Sequence, residues 1–135
     1  MTEPIFLTLE QALYIQKFEA TLTNSPTIVR DQGALEAALA APQASFDGQF
    51  LMDLFEMAAA YVTAIANHHP FLDGNKRTAA GSALAFLSMN GYIVQERRNE
   101  ELADIILSYL IKAATKEDLA NYFRERVVRK DFYSW

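Results

Sequence analysis

The stretch His69-Pro70-Phe71-Leu72-Asp73-Gly74-Asn75-Lys76-Arg77-Thr78 puts a histidine, a carboxylate, a glycine and two cations between two helical patterns. Pro70 disfavours the α conformation at the residue before it. The helical pattern ending near Ile65 and Asn67 should therefore stop there and leave the His69 imidazole on a loop. Asp73-Gly74-Asn75 is turn-forming sequence, so a second helix should begin near Gly74 or Asn75, with Asp73 suited to its N-cap. The first backbone N–H groups of that helix have no intrahelical partners, and together with the helix dipole they make an anion site. Lys76 and Arg77 add full positive charge, and Gly74 lets a phosphate oxygen approach the backbone closely.

On the N-terminal side, a helix over about Phe50 to Ala66 places Leu51, Phe55, Ala58, Val62 and Ile65 on one face and delivers His69. On the other side, a helix over about Asn75 to Asn90 is apolar nearly all round, through Ala79, Ala80, Ala83, Leu84, Ala85, Phe86, Leu87 and Met89, and is expected to be the central buried helix. Small residues at Ala79, Ala80 and Gly81 should let neighbouring backbones come close. Asn90-Gly91 stops this helix, and Tyr92-Ile93-Val94 is a short extended piece.

Further out, Thr8-Leu9-Glu10-Gln11 reads as a capping box opening a helix from Leu9 to about Leu22, with Ala12, Ile15, Phe18 and Leu22 as its apolar stripe. Asp31 can cap a short helix carrying Leu35, Ala38 and Leu39 that ends before Pro42. From Pro42 to Gln49 periodicity is lost, and Phe46-Asp47-Gly48 is turn-like, so a loop or small hairpin is expected. Asn99 can cap a fifth helix bearing Leu102, Ile105, Ile106, Tyr109 and Leu110. Thr115-Lys116-Glu117-Asp118 opens a sixth, with Leu119, Tyr122, Phe123 and Val127 inward. The fold class expected is all-α: a single compact six-helix bundle over residues 1–135 with at most a small β-hairpin.

Composition limits the function. The 135 residues, 51% hydrophobic, suffice for one substantial core. With no cysteine, a disulfide framework or a thiolate metal site is ruled out. Met1-Thr2-Glu3-Pro4 has no signal-peptide character, and the apolar run Met57 to Ala66 is about half the ~20 residues a membrane helix needs, so a cytoplasmic protein without membrane contact is expected. A net charge of −5 argues against nucleic-acid binding, which rests on a basic face. Arg124, Arg126, Arg129 and Lys130 read as helix-dipole partners and a solvated face. Phe132-Tyr133-Ser134-Trp135 receives no role.

A lone histidine after a helix is usually a surface residue, and His68 is read so. His69 differs by its company: a base near neutral pKa, a hard oxygen ligand at Asp73 and an amide-rich helix start with two cations are the parts phosphoryl transfer needs. Asp73 alone would be only a cap, yet Mg²⁺ typically takes one or two carboxylates plus substrate phosphates. Arg77 could equally be a structural ion-pair partner, and Phe71 is most simply a core anchor. Two adjacent histidines cannot ligate zinc in the i, i+4 manner, and no P-loop or kinase-type glycine loop is present.

The decapeptide resembles the signature of the Fic/Doc family, and within it the Doc (death-on-curing) branch, H-x-F-x-D-[AG]-N-K-R, with every fixed position matched. The Fic branch has a glycine where this chain has Lys76 and a second arginine where it has Ala80. Val29 to Leu39, Pro42-Gln43 and Asp53 to Tyr61 also look like the usual approach to this motif. The resemblance implies a toxin of a toxin–antitoxin system that uses ATP and Mg²⁺ to phosphorylate a hydroxyl on a protein target, a translation factor such as elongation factor Tu. It implies His69 as general base, Asp73 as Mg²⁺ ligand, Gly74, Asn75, Lys76 and Arg77 as phosphate binders, and the Pro42–Gln49 region as a flap that holds the target as an added strand. The alternatives are Fic-type AMP transfer and a catalytically silent binding module. Fic self-inhibition uses a glutamate followed by glycine or asparagine that pairs with the second arginine. Neither half is present here, so control is expected from a small antitoxin whose segment folds on binding.

Overall fold

Asp53 fixes the start of the helix on which most of the others pack. The computed structural model describes residues 3–130, in the order α1 (Leu9–Thr23), α2 (Gln32–Ala40), a 3₁₀ turn (Ala41–Gln43), β1 (Ser45–Phe46), β2 (Gln49–Phe50), α3 (Leu54–His68), α4 (Asn75–Met89), β3 (Tyr92–Val94), α5 (Glu101–Leu110), α6 (Lys116–Arg126) and β4 (Val127–Arg129). The Asp53 carboxylate accepts the N–H groups of Phe55 and Glu56 at 2.9 Å, and the Glu56 side chain accepts the Asp53 N–H at 2.9 Å, a reciprocal capping box. Burial opposes the Asp53 charge, but the Glu56 N–H and the Arg124 guanidinium of α6, 2.9 Å away, hold its carboxyl below the usual range. Helix α3 therefore starts after Asp53, and Phe50 belongs to a hairpin.

That hairpin pairs Ser45 with Phe50 and Phe46 with Gln49. Asp47 (φ 52°) and Gly48 (φ 78°) form its turn, the Asp-Gly chemistry that left-handed two-residue turns require. All four strand residues are exposed. Phe6 holds the hairpin's base, meeting the Phe50 ring edge-on at 5.4 Å and stacking on Phe86 at 5.9 Å.

Every residue of α3 from Met57 to Ala66 is buried, so α3 and not α4 is the central helix. Alanines on several of its faces let α2, α4 and α6 all come close. Helix α4 buries Thr78, Ala79, Ser82, Ala83, Phe86 and Leu87 but turns Leu84 to solvent. Helix α1 packs on α4. Its Ala12, Gln16 and Ala20 are buried, and the Gln16 amide donates to the Pro26 carbonyl at 3.2 Å. A Cβ on Gly81 would lie 2.9 Å from Ile15 Cγ2, so the missing side chain on α4 makes room for Ile15 of α1. The expected stripe holds in its first half, where Ala12 is buried and Ile15 packs on the core, and fails in its second, where Phe18 and Leu22 are 52% and 67% exposed.

The chain also forms a second two-stranded sheet that periodicity did not indicate, in which Tyr92, Ile93 and Val94 pair antiparallel with Arg129, Val128 and Val127. Helix α6 stops at Arg126, so Val127 is a strand residue and not an inner position of the helix. Glu100, at φ 63°, stands at the N-cap of α5 in place of Asn99. The Phe132-Tyr133-Ser134-Trp135 tail lies outside the described residues. Among those described, no helix is long and apolar enough to cross a membrane.

Arg124 and Arg126 are ion-pair partners that tie helices together. Arg126 Nε lies 2.7 Å from Glu101 Oε1, both side chains 13% exposed, and its guanidinium sits 5.2 Å from the centre of the Tyr122 ring. The hydrogen bond from Arg126 lowers the Glu101 carboxyl from its ordinary 4.5 to about 2, while burial and then Glu101 itself push the Tyr122 phenol up. A carboxyl depressed in the folded state adds stability that is complete above its unfolded pKa and is lost as pH falls through the folded one. Glu101→Gln should therefore lower Tm at neutral pH and flatten the decline between pH 4.5 and about 2. Tm measured across that window checks this, and an unchanged slope would contradict it.

Candidate active site

Helix α3 runs to His68, beyond the end that the sequence suggested, and His69 closes it in the left-handed conformation (φ 47°, ψ 57°) with its N–H donating to the Ile65 carbonyl at 3.2 Å. Histidine is among the few residue types enriched at positive φ, and Pro70 cannot continue the helix. The following turn is sewn to the segment before α2. Arg30 and Asp31 donate backbone N–H bonds to the Pro70 carbonyl at 2.8 and 3.0 Å, and Leu72 donates to Ile28 at 2.9 Å. Val29 and Phe71 form the bridge between them. Phe71, 1% exposed, is the core anchor that its sequence suggested.

Asn75 closes the turn from the other end. Its Oδ1 accepts the Phe71 N–H at 3.0 Å and its Nδ2 donates to the Phe71 carbonyl at 2.9 Å, which engages the whole side-chain amide and leaves the backbone N–H of Asn75 for an anion. Asp73 does not cap α4. Its Oδ1 accepts the N–H of Gly74 at 2.8 Å, and Gly74, at φ 78°, occupies the N-cap position with no side-chain bond to the helix. The first intrahelical bond of α4 runs from Thr78 N–H to the Gly74 carbonyl at 2.9 Å. The N–H groups of Asn75, Lys76 and Arg77 thus precede the helical ladder without a side-chain cap, a stronger anion site than the Asp73-capped helix the sequence suggested. A Cβ at Gly74 would lie 3.2 Å from Arg77 Nη2, so the glycine serves both the left-handed turn and the seating of the guanidinium. Arg77 Nη2 also reaches Ser25 Oγ at 3.4 Å.

These elements enclose a cavity of about 300 Å³ lined by His69, Leu72, Asp73, Gly74, Asn75, Lys76, Arg77 and Leu110. All six residues singled out from the sequence meet there. His69, Asp73, Lys76 and Arg77 are exposed. A mostly apolar recess of about 250 Å³ continues along α4, sharing Lys76 and Arg77 and walled by Ala80, Ala103, Ile106 and Leu107. Asn67 donates to the Tyr109 hydroxyl at 2.7 Å and so couples α5 to the end of α3 that carries the imidazole.

The profile of the Fic/DOC family matches residues 6–87, from α1 through the hairpin, α3 and the turn into most of α4. The chain belongs to the Fic/Doc family. Among its Fic/Doc relatives, it is similar to the protein kinase doc of Escherichia phage P1, with 45% identity over 87 residues that cover 64% of each chain. It is also similar to the toxin Doc of Mycolicibacterium smegmatis, with 47% identity over 64 residues that cover 47% of this chain and 49% of that protein. The matched stretches thus span less than two thirds of either relative. The Fic/Doc profile ends before α5, so Leu110 and the α5 side of the recess, Ala103, Ile106 and Leu107, come from outside the matched segment.

Sequence reading missed one contributor to this site. Arg30 stands in the sequence only as part of the Val29 to Leu39 approach to the motif, yet its side chain donates to the carbonyls of His68 and His69. The spacing to His69 gives no signal, because the contact depends on a bridge between segments far apart in the chain.

Proposed function

We propose that this protein is a Doc-like toxin of a toxin–antitoxin system that transfers the terminal phosphate of ATP to a hydroxyl of a protein target. One observation carries the reading: a single cavity joins an exposed imidazole, one carboxylate and three uncapped backbone N–H groups beside Lys76 and Arg77. Phosphoryl transfer asks for positioning and charge neutralisation more than for covalent chemistry, and this donor set supplies both.

In this reading the N–H groups of Asn75, Lys76 and Arg77 orient the phosphate oxygens, and the two cations balance their charge. His69 takes the proton of the acceptor hydroxyl at an imidazole nitrogen. The apolar recess beyond Ala80 gives the less polar part of the nucleotide a place next to the phosphate site. Asp73, a lone carboxylate beside an anion cradle, suits a hard divalent cation that draws its other ligands from phosphates and water, and Mg²⁺ held there would neutralise charge on the transferred group. The exposed β1–β2 hairpin offers an edge on which a target segment can add as a strand, the role that family resemblance gives it. By the same resemblance the target is a translation factor such as elongation factor Tu, in the cytoplasm. An antitoxin whose segment folds on binding keeps the enzyme silent.

Lys76 stands where the AMP-transferring Fic branch has a glycine, and Ala80 removes that branch's second arginine. Label is therefore expected to follow the γ-phosphate when the protein is incubated with γ- or α-labelled ATP, Mg²⁺ and cell extract. Transfer of α-label with release of pyrophosphate would overturn the kinase reading in favour of AMP transfer, and no transfer of either label would favour a silent binding module.

A further inference from the structure

We propose that Arg30 is a positioning residue that holds the His69 imidazole in place. This rests on His69 being the base of the transfer proposed above. The Arg30 Nε donates to the His69 carbonyl at 2.7 Å and its Nη2 to the His68 carbonyl at 2.8 Å, so one edge of the guanidinium grips two consecutive carbonyls at the end of α3. Those carbonyls lack intrahelical partners, and a cation at a helix C-terminus also complements the dipole. The Arg30 backbone N–H meanwhile donates to the Pro70 carbonyl at 2.8 Å. Residue 30 thus holds residues 68, 69 and 70 in succession.

The grip matters because His69 is in a conformation that its neighbours in the chain do not favour. It combines a positive φ with a following proline, which pushes the preceding residue toward extended backbone. Once the side-chain bonds are lost, the His69 peptide can relax toward that extended form and swing the imidazole away from the cavity. The main-chain bridge through Val29, Phe71, Pro70 and Leu72 remains, so the fold does not depend on the guanidinium. The anion cradle on α4 also remains, because its donors are backbone groups closed by Asn75.

The test compares Arg30→Met, which keeps an unbranched apolar stem but has no donors, with Arg30→Lys, which restores charge but not the two-pronged edge. A small misplacement of a catalytic group costs on the order of 10²-fold in rate, so Arg30→Met is expected to lower kcat about 10- to 100-fold with KM for ATP unchanged within about twofold. Arg30→Lys should recover part of the loss. Independently of turnover, the backbone chemical shifts of His69 should move from positive-φ to extended values in Arg30→Met, with those of α4 unchanged. Unaltered His69 shifts, or kcat and KM for ATP moving together with a large fall in Tm, would overturn the assignment. An inactive wild-type protein would instead count against the transfer reading, and the His69 shifts would still decide the role of Arg30.

Discussion

His69→Ala is expected to cut transfer to the target by about 10²–10⁴, the usual loss when a positioned general base is removed. The imidazole is exposed, so the substitution removes little packing. What it does disturb is the backbone: alanine at a positive φ costs roughly 1–2 kcal/mol, a penalty that histidine and asparagine, both enriched there, bear more lightly. His69→Asn is therefore the cleaner companion, tolerant of the left-handed turn yet unable to accept the proton near neutral pH. Both variants should lose transfer to a similar extent, while Asn keeps Tm closer to wild type. In growing cells both should relieve any arrest that the wild-type chain imposes when expressed without an antitoxin. Wild-type turnover in either variant would remove His69 from its assigned role.

The turn that carries this chemistry was legible because its punctuation is local. Pro70, Gly74 and Asn75 act on residues within one turn of themselves, and the helix starts capped by Thr8 with Gln11, Asp31, and Thr115 with Asp118 follow the same logic. The Asp53 and Glu56 box works in the same way but was masked, because Leu51 continues the three-and-four spacing of α3 while belonging to the hairpin end. Features set by distant partners left no such trace. The β3–β4 pairing, the Arg30 grip on α3 and the choice of α3 over α4 as central helix all depend on which segments meet. The exposed Phe18 and Leu22 make the same point from the other side: spacing alone put them on one stripe with Ala12 and Ile15, but only the first half of α1 has that face covered, with Ile15 against Gly81. At Asp73 the sequence shows only part of the answer. The turn residues are plain in the sequence, but whether Asp73 or Gly74 takes the N-cap depends on the backbone angle at Gly74, which the sequence leaves open.

Because Asp73 binds the Gly74 N–H and does not cap α4, its charge can be removed without uncapping a helix, and the second large effect follows. Asp73→Asn retains a side-chain oxygen for the Gly74 N–H, so the turn at φ 78° should persist. What it lacks is the anionic oxygen that a hard cation prefers. The expected result is a fall in transfer on the order of 10²-fold or more, since a bound metal supplies several kcal/mol of charge stabilisation to the transferred group. The Mg²⁺ concentration for half-maximal rate should rise at least tenfold. ATP affinity measured without Mg²⁺ should change little or improve, because a negative charge beside the phosphates has gone. Asp73→Ala, which loses both the charge and the bond to Gly74, should add a loss of ATP affinity that Asp73→Asn does not show. The discriminating measurement is a Mg²⁺ titration of turnover in wild type and both variants. If Asp73→Asn titrates like wild type, Asp73 serves the turn alone, and the cation, if one is needed, is held by the phosphates without it.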